Sequence, residues 1–310
     1  MVLRFTLRQL MYFVAVGETG SVSKAAEQLN VSSPSVSAAI SQLEQEFGVQ
    51  LFVRRHAQGV TLTPGGRLFL TQSRLVLGQA HALHDLASDI TEQPRGPIRI
   101  GCLVTLAPVI LASLRRSFER SHPEAVVSQV SGHQGHLLDM IRRAEIDVAI
   151  TYDLEIPQDV IFDPLAALPP YVLLAANDPN ADAPALTLKE LSERPMVLLD
   201  LPISREYFLS MFQSQGLRPN VAERAGDVAM LHSLVANGYG YALLNIRYQI
   251  DTAPDGAKVR LVPLKGDFRP MILGLARVRS EYEPNIVRAF RSHFGQAIDD
   301  DRIPGMTATD

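Results

Sequence analysis

The sequence predicts an α/β fold in two domains, and three observations support this prediction. A length of 310 residues favours two domains, each large enough for its own hydrophobic core. Residues 6–66 carry three short helical patterns followed by two short strand patterns. Beyond residue 97, apolar strand-like runs alternate with helical patterns, which predicts parallel sheets covered by helices.

The overall composition is that of an ordinary soluble protein. Hydrophobic residues make up 46% of the chain, charged residues 20%, and the net charge of -4 neither favours nor excludes a nucleic-acid partner. A single cysteine, Cys102, excludes an intrachain disulfide framework and a zinc site with several cysteines. No run approaches the roughly 18 apolar residues of a membrane span. We therefore expect a cytoplasmic protein without a membrane partner.

The first 17 residues, MVLRFTLRQLMYFVAVG, admit two interpretations. Arg4 and Arg8 would form the charged start of a signal peptide, but the apolar run Leu10–Val16 is short for its core. The same residues form an amphipathic helical pattern with Thr6 as its cap, and we favour this helix.

The stretch SSPSVSAAISQLEQEFG, residues 32–48, predicts the second helix of a helix-turn-helix unit. Ser32 or Ser33 can cap it, and Pro34 suits its first turn. Gly48 supplies its end, and a shorter helix with a tight turn precedes it. One apolar stripe is predicted to be buried: Val36, Ile40, Leu43 and Phe47.

Two short strand patterns, VQLFVRR at 49–55 and GVTLTP at 59–64, predict a hairpin wing after this helix. Arg54, Arg55 and His56 lie at its predicted tip. Helix-turn-helix patterns have many false positives, so a small helical domain without a ligand is the alternative. The basic wing tip favours DNA binding.

We expect the helix from Ser33 to enter the major groove of double-stranded promoter DNA, where hydroxyl and amide side chains can read base edges. Arg54 and Arg55 would hold the flanking phosphates. For each serine, a helix cap or a solvated surface position is the alternative. The predicted groove contacts are Ser33, Ser35, Val36, Ser37 and Gln42.

Residues 67–90 form a long helical pattern with a seam of apolar or small residues at alternating steps of four and three. Such a seam predicts a helix that pairs with a second copy, and a reader of two DNA half-sites needs a dimer. Packing of the helix on its own chain is the alternative. Residues 91–97 form a polar hinge. The seam residues are Phe69, Ser73, Val76, Ala80, Leu83, Ala87 and Ile90.

Residues 98–300 contain the alternating patterns. Predicted strands cover 98–103, 125–131, 147–151, 171–176, 195–200, 239–245 and 270–278, and predicted helices cover about 108–120, 134–143, 204–215, 227–237 and 283–297. Small molecules bind at the carboxyl ends of the strands in such folds. The candidate effector-binding residues are Val104, Thr105, His133, Gln134, Tyr152, Asp153, Ser204, Arg205 and Asp227.

Arg205 lies in the first turn of a predicted helix, so its guanidinium and the positive end of the helix dipole together suit a carboxylate. This arrangement predicts an anionic effector, with a carboxylate as the favoured group. A salt bridge from Arg205 to Glu206 or to another acid is the alternative, and a plain helix cap is the alternative role of Asp227.

No catalytic motif is recognisable, because the chain has no G-x-S-x-G, H-E-x-x-H, P-loop or G-x-G-x-x-G pattern. His133 and His136 lack a cysteine or carboxylate at metal-binding spacing, which favours a polar loop. Cys102 lies on a predicted buried strand, which favours a small apolar filler over a redox sensor. We expect neither an enzyme nor a cofactor or metal. A solute-binding protein would fit residues 98–300 alone, but not the helix-turn-helix.

The sequence LRQLMYFVAVGETGSVSKAAEQLNVSSPSVSAAISQLEQEFGVQLFVR, followed by LTPGG, resembles the LysR-type transcriptional regulators. The resemblance is specific over about residues 6–66. It continues more weakly to about residue 298, through EIDVAI at 145–150 and LVANGYGYALLN at 234–245.

The resemblance implies a winged helix-turn-helix, a dimerising linker helix and a two-lobed, periplasmic-binding-protein-like α/β effector domain. Such regulators form homodimers or homotetramers, bind promoter DNA and respond to a small-molecule effector, with RNA polymerase as a further candidate partner. The implied divisions are 6–66 for the DNA-binding domain, 67–90 for the linker helix, 91–97 for the hinge, 98–300 for the effector domain and 301–310 for a tail. Within the effector domain, lobe I covers 98–165 and 268–300, and lobe II covers 166–267.

Three features depart from the family pattern. Ala38 and Ala39 stand where many members carry Arg or Lys in the recognition helix. Asn245 replaces a frequent proline after the last strand of lobe II, and Gly-His-Gln at 132–134 replaces a loop that usually contains Ser or Thr. The base contacts and the effector therefore cannot be transferred from the family.

Overall fold

The computed structural model describes residues 4–55, 59–89, 94–280, 283–299 and 307–308. The chain divides into two compact units, one built largely from residues 1–94 and the other largely from residues 95–310. Each unit has its own hydrophobic core.

In its described residues, the N-terminal unit contains three short helices, a two-stranded wing and a longer fourth helix, in the predicted order. The wing strands pair antiparallel, with Phe52 opposite Leu62 and Arg55 opposite Gly59. The elements are α1 (Leu7–Thr19), α2 (Val22–Gln28), α3 (Ser33–Phe47), β1 (Phe52–Arg55), β2 (Gly59–Leu62) and α4 (Pro64–Asp89).

Local sequence explains where α3 begins and ends. The Ser32 hydroxyl accepts a hydrogen bond from the backbone N–H of Ser35 at 3.3 Å. Pro34 stands in the first turn, where its missing N–H removes no helical bond. Gly48 ends the helix with φ 63°, a left-handed conformation that glycine adopts without strain. The predicted cap, first turn and end of this helix are confirmed, with Ser32 as the cap.

The core of the N-terminal unit lies between α1, α2, α3 and the wing. Phe13, Val36 and Leu43 are each 0% exposed. Phe47, the last residue of the predicted buried stripe, is 40% exposed, so this part of the prediction is wrong. As the final residue of α3 it lies at the edge of the core, where its ring contacts that of Phe69 at a centroid distance of 4.8 Å.

Part of the seam predicted on α4 packs against its own chain. The Phe69 ring contacts the rings of Phe13 and Phe47, at centroid distances of 5.3 and 4.8 Å. Ser73 is only 3% exposed. Ser73 is therefore covered within its own chain and Phe69 is half-buried there, which supports the alternative for these two positions. Pairing through the rest of the seam stays a prediction. The seam positions beyond Ala80 lie outside the described side chains.

The C-terminal unit begins with alternating strands and helices. Its first elements are β3 (Gly96–Leu103), α5 (Ala107–Ser121), β4 (Ala125–Gly132), α6 (Gln134–Arg142), β5 (Val148–Tyr152) and β6 (Val160–Leu168). β3 lies between β4 and β5 and runs parallel to both. The carboxyl ends of these three strands therefore share one edge of the sheet.

The next elements form two further sheets. The elements are β7 (Tyr171–Ala175), β8 (Leu186–Thr187), α7 (Leu188–Ser192), β9 (Pro195–Leu199), α8 (Pro202–Ser214), β10 (Asn220–Ala225), α9 (Val228–Ala236), β11 (Ala242–Leu244) and β12 (Val259–Lys265). One sheet has the strand order β11-β7-β12-β8, and the other pairs β9 with β10. β7 pairs antiparallel with β11 and β12, while β12 is parallel to β8 and β9 is parallel to β10.

β13 (Met271–Val278) returns to the first sheet, followed by α10 (Asn285–Asp299) and β14 (Thr307–Ala308). The order of this sheet is β14-β6-β13-β5-β3-β4 over the described residues. β6 leads out of the sheet and β13 leads back into it. We therefore distinguish a first subdomain, built on this sheet, from a second subdomain, residues 171–265. β14 pairs with β6 within the segment predicted as a tail.

The prediction of parallel sheets is wrong in part. β13 runs antiparallel to β5 and β6, because the chain leaves the first sheet and returns to it from the opposite side. The sequence also does not predict α7 or the strands β6, β8, β10, β12 and β14. Of these strands, β6 and β12 contain Pro164 and Pro263, residues that weaken a strand pattern. The strand predicted at 239–245 covers only Ala242–Leu244. Before it, Gly240, with φ 150°, approaches the Pro195 carbonyl oxygen too closely for a side chain.

Gly66, in the first turn of α4, lies against the wing. A methyl group on its Cα would stand 2.1 Å from the Leu51 carbonyl oxygen. We expect Gly66→Ala to lower the free energy of unfolding by roughly 1–3 kcal/mol, as over-packing does. Gly78→Ala, in the same helix with nothing within 4 Å of the added carbon, should raise it by about 1 kcal/mol. Denaturant unfolding followed by circular dichroism measures both, and equal stability of the two variants would contradict the prediction.

Candidate DNA-binding face and effector cleft

One side of α3 is exposed to solvent and uncharged over its first ten residues. Each member lies three or four positions from another member, in the next or the preceding turn, which places them on one face of the helix. Small side chains on this face allow another molecule to approach the helix closely. The exposed face of α3 consists of Pro34, Ser35, Ala38, Ser41 and Gln42.

Two of the predicted groove contacts, Ser35 and Gln42, lie on the exposed face of α3. Val36 does not, because it is 0% exposed in the core. Its assignment to a DNA contact is wrong: one residue further along a helix turns the side chain by about 100°. Ser33 and Ser37 are half-buried at the flanks of the helix.

Ala38 and Ser41 belong to the exposed face of α3 but are not among the predicted contacts. Helical spacing was the usable signal, since Ala38 follows Ser35 by three positions and Ser41 follows Ala38 by three. The prediction did not apply this spacing and so omitted both.

Glu44 joins α3 to the wing. Its carboxylate accepts hydrogen bonds from the backbone N–H groups of Leu51 at 2.8 Å and Phe52 at 3.2 Å. Both residues are buried, at 0% and 8% exposure. The acid therefore binds the start of the wing.

The wing places its two arginines beside the hairpin turn. Arg54 lies opposite Val60, and Arg55 lies opposite Gly59 in the last pair of the ladder. His56 and the side chains of both arginines lie outside the described residues. Phosphate binding by Arg54 and Arg55 stays a prediction.

A narrow cleft lies between the two subdomains of the C-terminal unit. Thr105 follows β3, Tyr152 ends β5, and Ser204 lies in the first turn of α8. The cavity has a volume of about 10 Å³, which is the space of about one water molecule. A larger ligand therefore requires the residues that line the cleft to move. The other lining residues are Leu199, Phe208, Val228, Leu244, Asn245, Ile246 and Met271.

The described polar groups that line the cleft are uncharged. Burial, partly offset by a hydrogen bond with Thr105, raises the pKa of Tyr152, so its phenol keeps its proton at neutral pH. Asn245 is 4% exposed, and its amide donates to the Leu168 carbonyl oxygen at 2.8 Å. The cleft thus offers neutral hydrogen-bonding groups against apolar walls.

α8 presents its N-terminus to the cleft. The helix begins at Pro202 without a side-chain hydrogen bond to its first turn, and Ser204 in that turn lines the cavity. Arg205 has other partners: its guanidinium lies 2.7 Å from the Asp200 carboxylate and 2.9 Å from that of Glu206. The structure therefore supports the salt-bridge interpretation of Arg205.

Two predicted cleft acids have structural partners. Asp153 accepts a hydrogen bond from the Ile272 backbone N–H at 3.1 Å and pairs with Arg269 at 2.5 Å, which holds the returning strand to the end of β5. Asp227 accepts from the Met230 N–H at 2.8 Å. Its observed role is the helix cap that the sequence offered as its alternative.

Three further candidates, Val104, His133 and Gln134, follow strand ends as predicted but do not line the cavity. Val104 and His133 are exposed. Gln134 is 4% exposed, and its amide donates to the Leu154 carbonyl oxygen, which joins the loops after β4 and β5. The sequence located the strand ends but not which of them face the second subdomain.

Sequence reasoning missed Asn245 and the apolar walls of the cleft. Asn245 directly follows β11, and its departure from the family pattern was the signal that it has a local role. Phe208, Val228 and Met271 gave no such signal, because buried apolar residues on helices and strands resemble ordinary core residues.

The chain's single cysteine has no reactive character. Cys102 is 0% exposed on β3, and burial raises its pKa, so the thiol remains protonated. Among the described residues, no three His, Cys, Asp or Glu side chains are grouped as a metal site needs. In the same part of the chain, no helix combines the length and hydrophobicity that crossing a membrane requires.

Two family models match the chain. The bacterial regulatory helix-turn-helix protein, lysR family, matches residues 7–67, and the LysR substrate binding domain matches residues 91–299. The chain belongs to the LysR family. It is therefore a DNA-binding transcriptional regulator and not an enzyme.

The regulator is similar to the HTH-type transcriptional regulator CysB of Haemophilus influenzae, with 28% identity over 295 residues, 93% of this chain and 89% of the relative. Among solved structures it is similar to HinK, a LysR family transcriptional regulator from Pseudomonas aeruginosa, with TM-score 0.64 and 32% identity over 94% of this chain and 98% of that one. A full-length OxyR variant from Pseudomonas aeruginosa shares the fold, with TM-score 0.75 and 24% identity over 94% and 98% of the two chains.

Removing the Glu44 carboxylate should weaken the attachment of the wing. Glu44→Ala leaves the buried N–H groups of Leu51 and Phe52 without their acceptor, which costs about 1–3 kcal/mol. Glu46→Ala removes an exposed acid from the same helix and should change stability by less than about 0.5 kcal/mol. Denaturant unfolding of both variants measures the difference. If they are equally stable, the two hydrogen bonds contribute nothing to the fold.

Proposed function

We propose that this regulator binds a specific promoter sequence through the exposed face of α3, and that a small-molecule effector in the cleft controls this binding. The observation that carries the proposal is the uncharged, solvent-exposed face of α3, with its hydroxyl and amide side chains. Side chains of this kind can read base edges in a major groove.

In this proposal, affinity for DNA arises largely outside the exposed face of α3. The N-terminus of α3 attracts phosphate through its free N–H groups and its dipole. Arg54 and Arg55, at the end of the wing ladder, would hold the flanking phosphates. Ser33 and Ser37, at the flanks of the helix, would donate hydrogen bonds to the DNA backbone or to base edges.

We propose that the regulator acts in the cytoplasm as a homodimer or homotetramer, with RNA polymerase as a candidate partner at the promoter. Leu68 is 74% exposed and Val76 is 38% exposed on α4. Large exposed apolar side chains on one helix favour a partner surface. Pairing of two copies through α4 would supply two α3 helices for two DNA half-sites.

We propose that the effector is a small molecule with a carboxylate group. The free N-terminus of α8, with the hydroxyls of Ser204 and Thr105, supports binding of an anion without a charged side chain. Arg205 is not assigned the counter-charge, because Asp200 and Glu206 already neutralise it. The apolar residues of the cleft would cover the remainder of the molecule.

A gel shift with the regulator's own upstream region tests the DNA-binding proposal. We expect binding at least about 1,000-fold tighter than to an unrelated duplex, as specific DNA readers show at physiological salt. Equal affinity for the two duplexes would overturn the proposal of sequence-specific binding.

Replacing both Arg54 and Arg55 with Ala should weaken binding to all sequences alike. The slope of log affinity against log salt should fall by about 2, one unit for each lost phosphate contact. Fluorescence anisotropy across a salt series measures the slope. The double variant Lys189→Ala/Arg218→Ala removes two exposed cations from the second subdomain and should leave the slope unchanged. An unchanged slope in the wing variant would contradict the assignment.

Thermal unfolding of the full chain tests the effector class with small monocarboxylates, each paired with its neutral primary amide. A ligand at about 100 times its Kd stabilises by about 2.7 kcal/mol, a rise in Tm of roughly 5 °C. We expect a carboxylate to raise Tm and its amide not to. Ser204→Ala should reduce the shift, whereas Arg205→Ala should retain it. A rise in Tm with the amides alone, or with no compound, would contradict the proposal that the effector carries a carboxylate.

A further inference from the structure

We propose that Gln9, a residue of α1, is a positioning residue that turns the Gln42 amide so that its NH2 group faces the major groove. The wild-type regulator would then select a base with an acceptor at the position that Gln42 reads. This inference rests on the proposed placement of the exposed face of α3 in that groove.

Contacts with Thr6 fix the orientation of the Gln9 side chain. The backbone N–H of Thr6 lies 2.7 Å from Gln9 Oε1, and the Thr6 hydroxyl lies 3.2 Å from the same atom. A backbone N–H can only donate, so the atom that faces it must be the amide oxygen. These contacts belong to the capping box at the start of α1, which holds the Gln9 side chain in place.

The NH2 group of the Gln9 amide fixes the orientation of Gln42 in turn. Gln9 Nε2 donates to Gln42 Oε1 at 2.8 Å. An amide NH2 group can only donate, so Gln42 must turn its oxygen toward α1. Gln42 Nε2 then points away from α1, and its two N–H groups have no partner among the described residues. Gln42 is exposed on the same face of α3 as Ser35 and Ala38.

In the major groove, the four bases differ in whether they present a hydrogen-bond acceptor or donor. Guanine carries the acceptor O6, and thymine the acceptor O4, where adenine and cytosine carry an NH2 donor. A Gln42 side chain that presents only N–H donors can bond to guanine or thymine, but it meets another donor on adenine or cytosine. The expected preference is therefore a keto base, guanine or thymine, at one position in each half-site.

Gln9→Glu is the decisive variant. The introduced carboxylate can still accept from the Thr6 N–H, as the acid of a capping box does, so the start of α1 is retained. It cannot donate to Gln42. The Gln42 amide then donates its own NH2 to the carboxylate and presents Oε1 to the groove, which reverses the preference to an amino base, adenine or cytosine.

The experiment selects binding sites for the full chain from a randomised duplex library. Anisotropy then measures affinity for duplexes that differ by one transition, thymine to cytosine or guanine to adenine. We expect wild type to prefer the keto base by roughly tenfold and Gln9→Glu to prefer the amino base by a similar factor. Gln42→Ala should lose the preference at that position alone. If Gln9→Glu folds poorly, Gln42→Glu serves as the second variant, because it also offers an oxygen to the groove and should reverse the base preference.

Gln45→Glu is the matched charge control. It adds one negative charge to an exposed position of α3 without touching the Gln9–Gln42 pair. Lower affinity for every duplex, with the keto preference intact, is the expected result. A salt series on the same variants separates this uniform loss from a change in base preference.

The possible failures are distinguishable. If wild type binds no duplex specifically, the proposed function fails, and this inference fails with it. If Gln42→Ala leaves all base preferences unchanged, Gln42 reads no base and the inference alone is overturned. The inference alone is also overturned if Gln42→Ala changes a base preference but Gln9→Glu, like Gln45→Glu, lowers affinity for every duplex and leaves that preference unchanged.

Discussion

Burial of one stripe of α3 decides which side chains of this helix face solvent. Val36 and Leu43 are fully covered in the core of the N-terminal unit, and exposing either would cost roughly 1.5–3 kcal/mol. The helix therefore has one rotational setting, in which Ser35, Ala38 and Gln42 face outward. The groups that we propose to read bases are thus positioned by apolar contacts on the opposite side of the same helix.

Pairing of the two crossing strands has a comparable role in the C-terminal unit. β6 and β13 run antiparallel in the first sheet, so the strand that leaves for the second subdomain is bonded to the strand that returns. Asp153 adds a bond to the Ile272 N–H at the start of that return. Thr105 and Tyr152 are thereby held on one side of the cleft and Ser204 on the other.

Sequence reasoning succeeded where structure is decided by neighbours along the chain. The cap, first turn and end of α3 depend on Ser32, Pro34 and Gly48, each within the helix or next to it. It failed for β6 and β12, because Pro164 and Pro263 break the strand pattern and the partners that complete the ladder lie far away in sequence. In the cleft, strand ends were found correctly, but only some of them face the second subdomain.

The sequence by itself determined the order of elements in the N-terminal unit, the winged helix-turn-helix and membership of the LysR family. Only the tertiary structure decided the direction and partners of individual side chains: Val36 in the core, Arg205 between two acids, Asn245 in the cleft and Gln42 bonded to Gln9. The physical reason is that periodicity in a sequence specifies which residues share a face. Which face is covered, and which charge is already paired, depends on groups that meet only when the chain has folded.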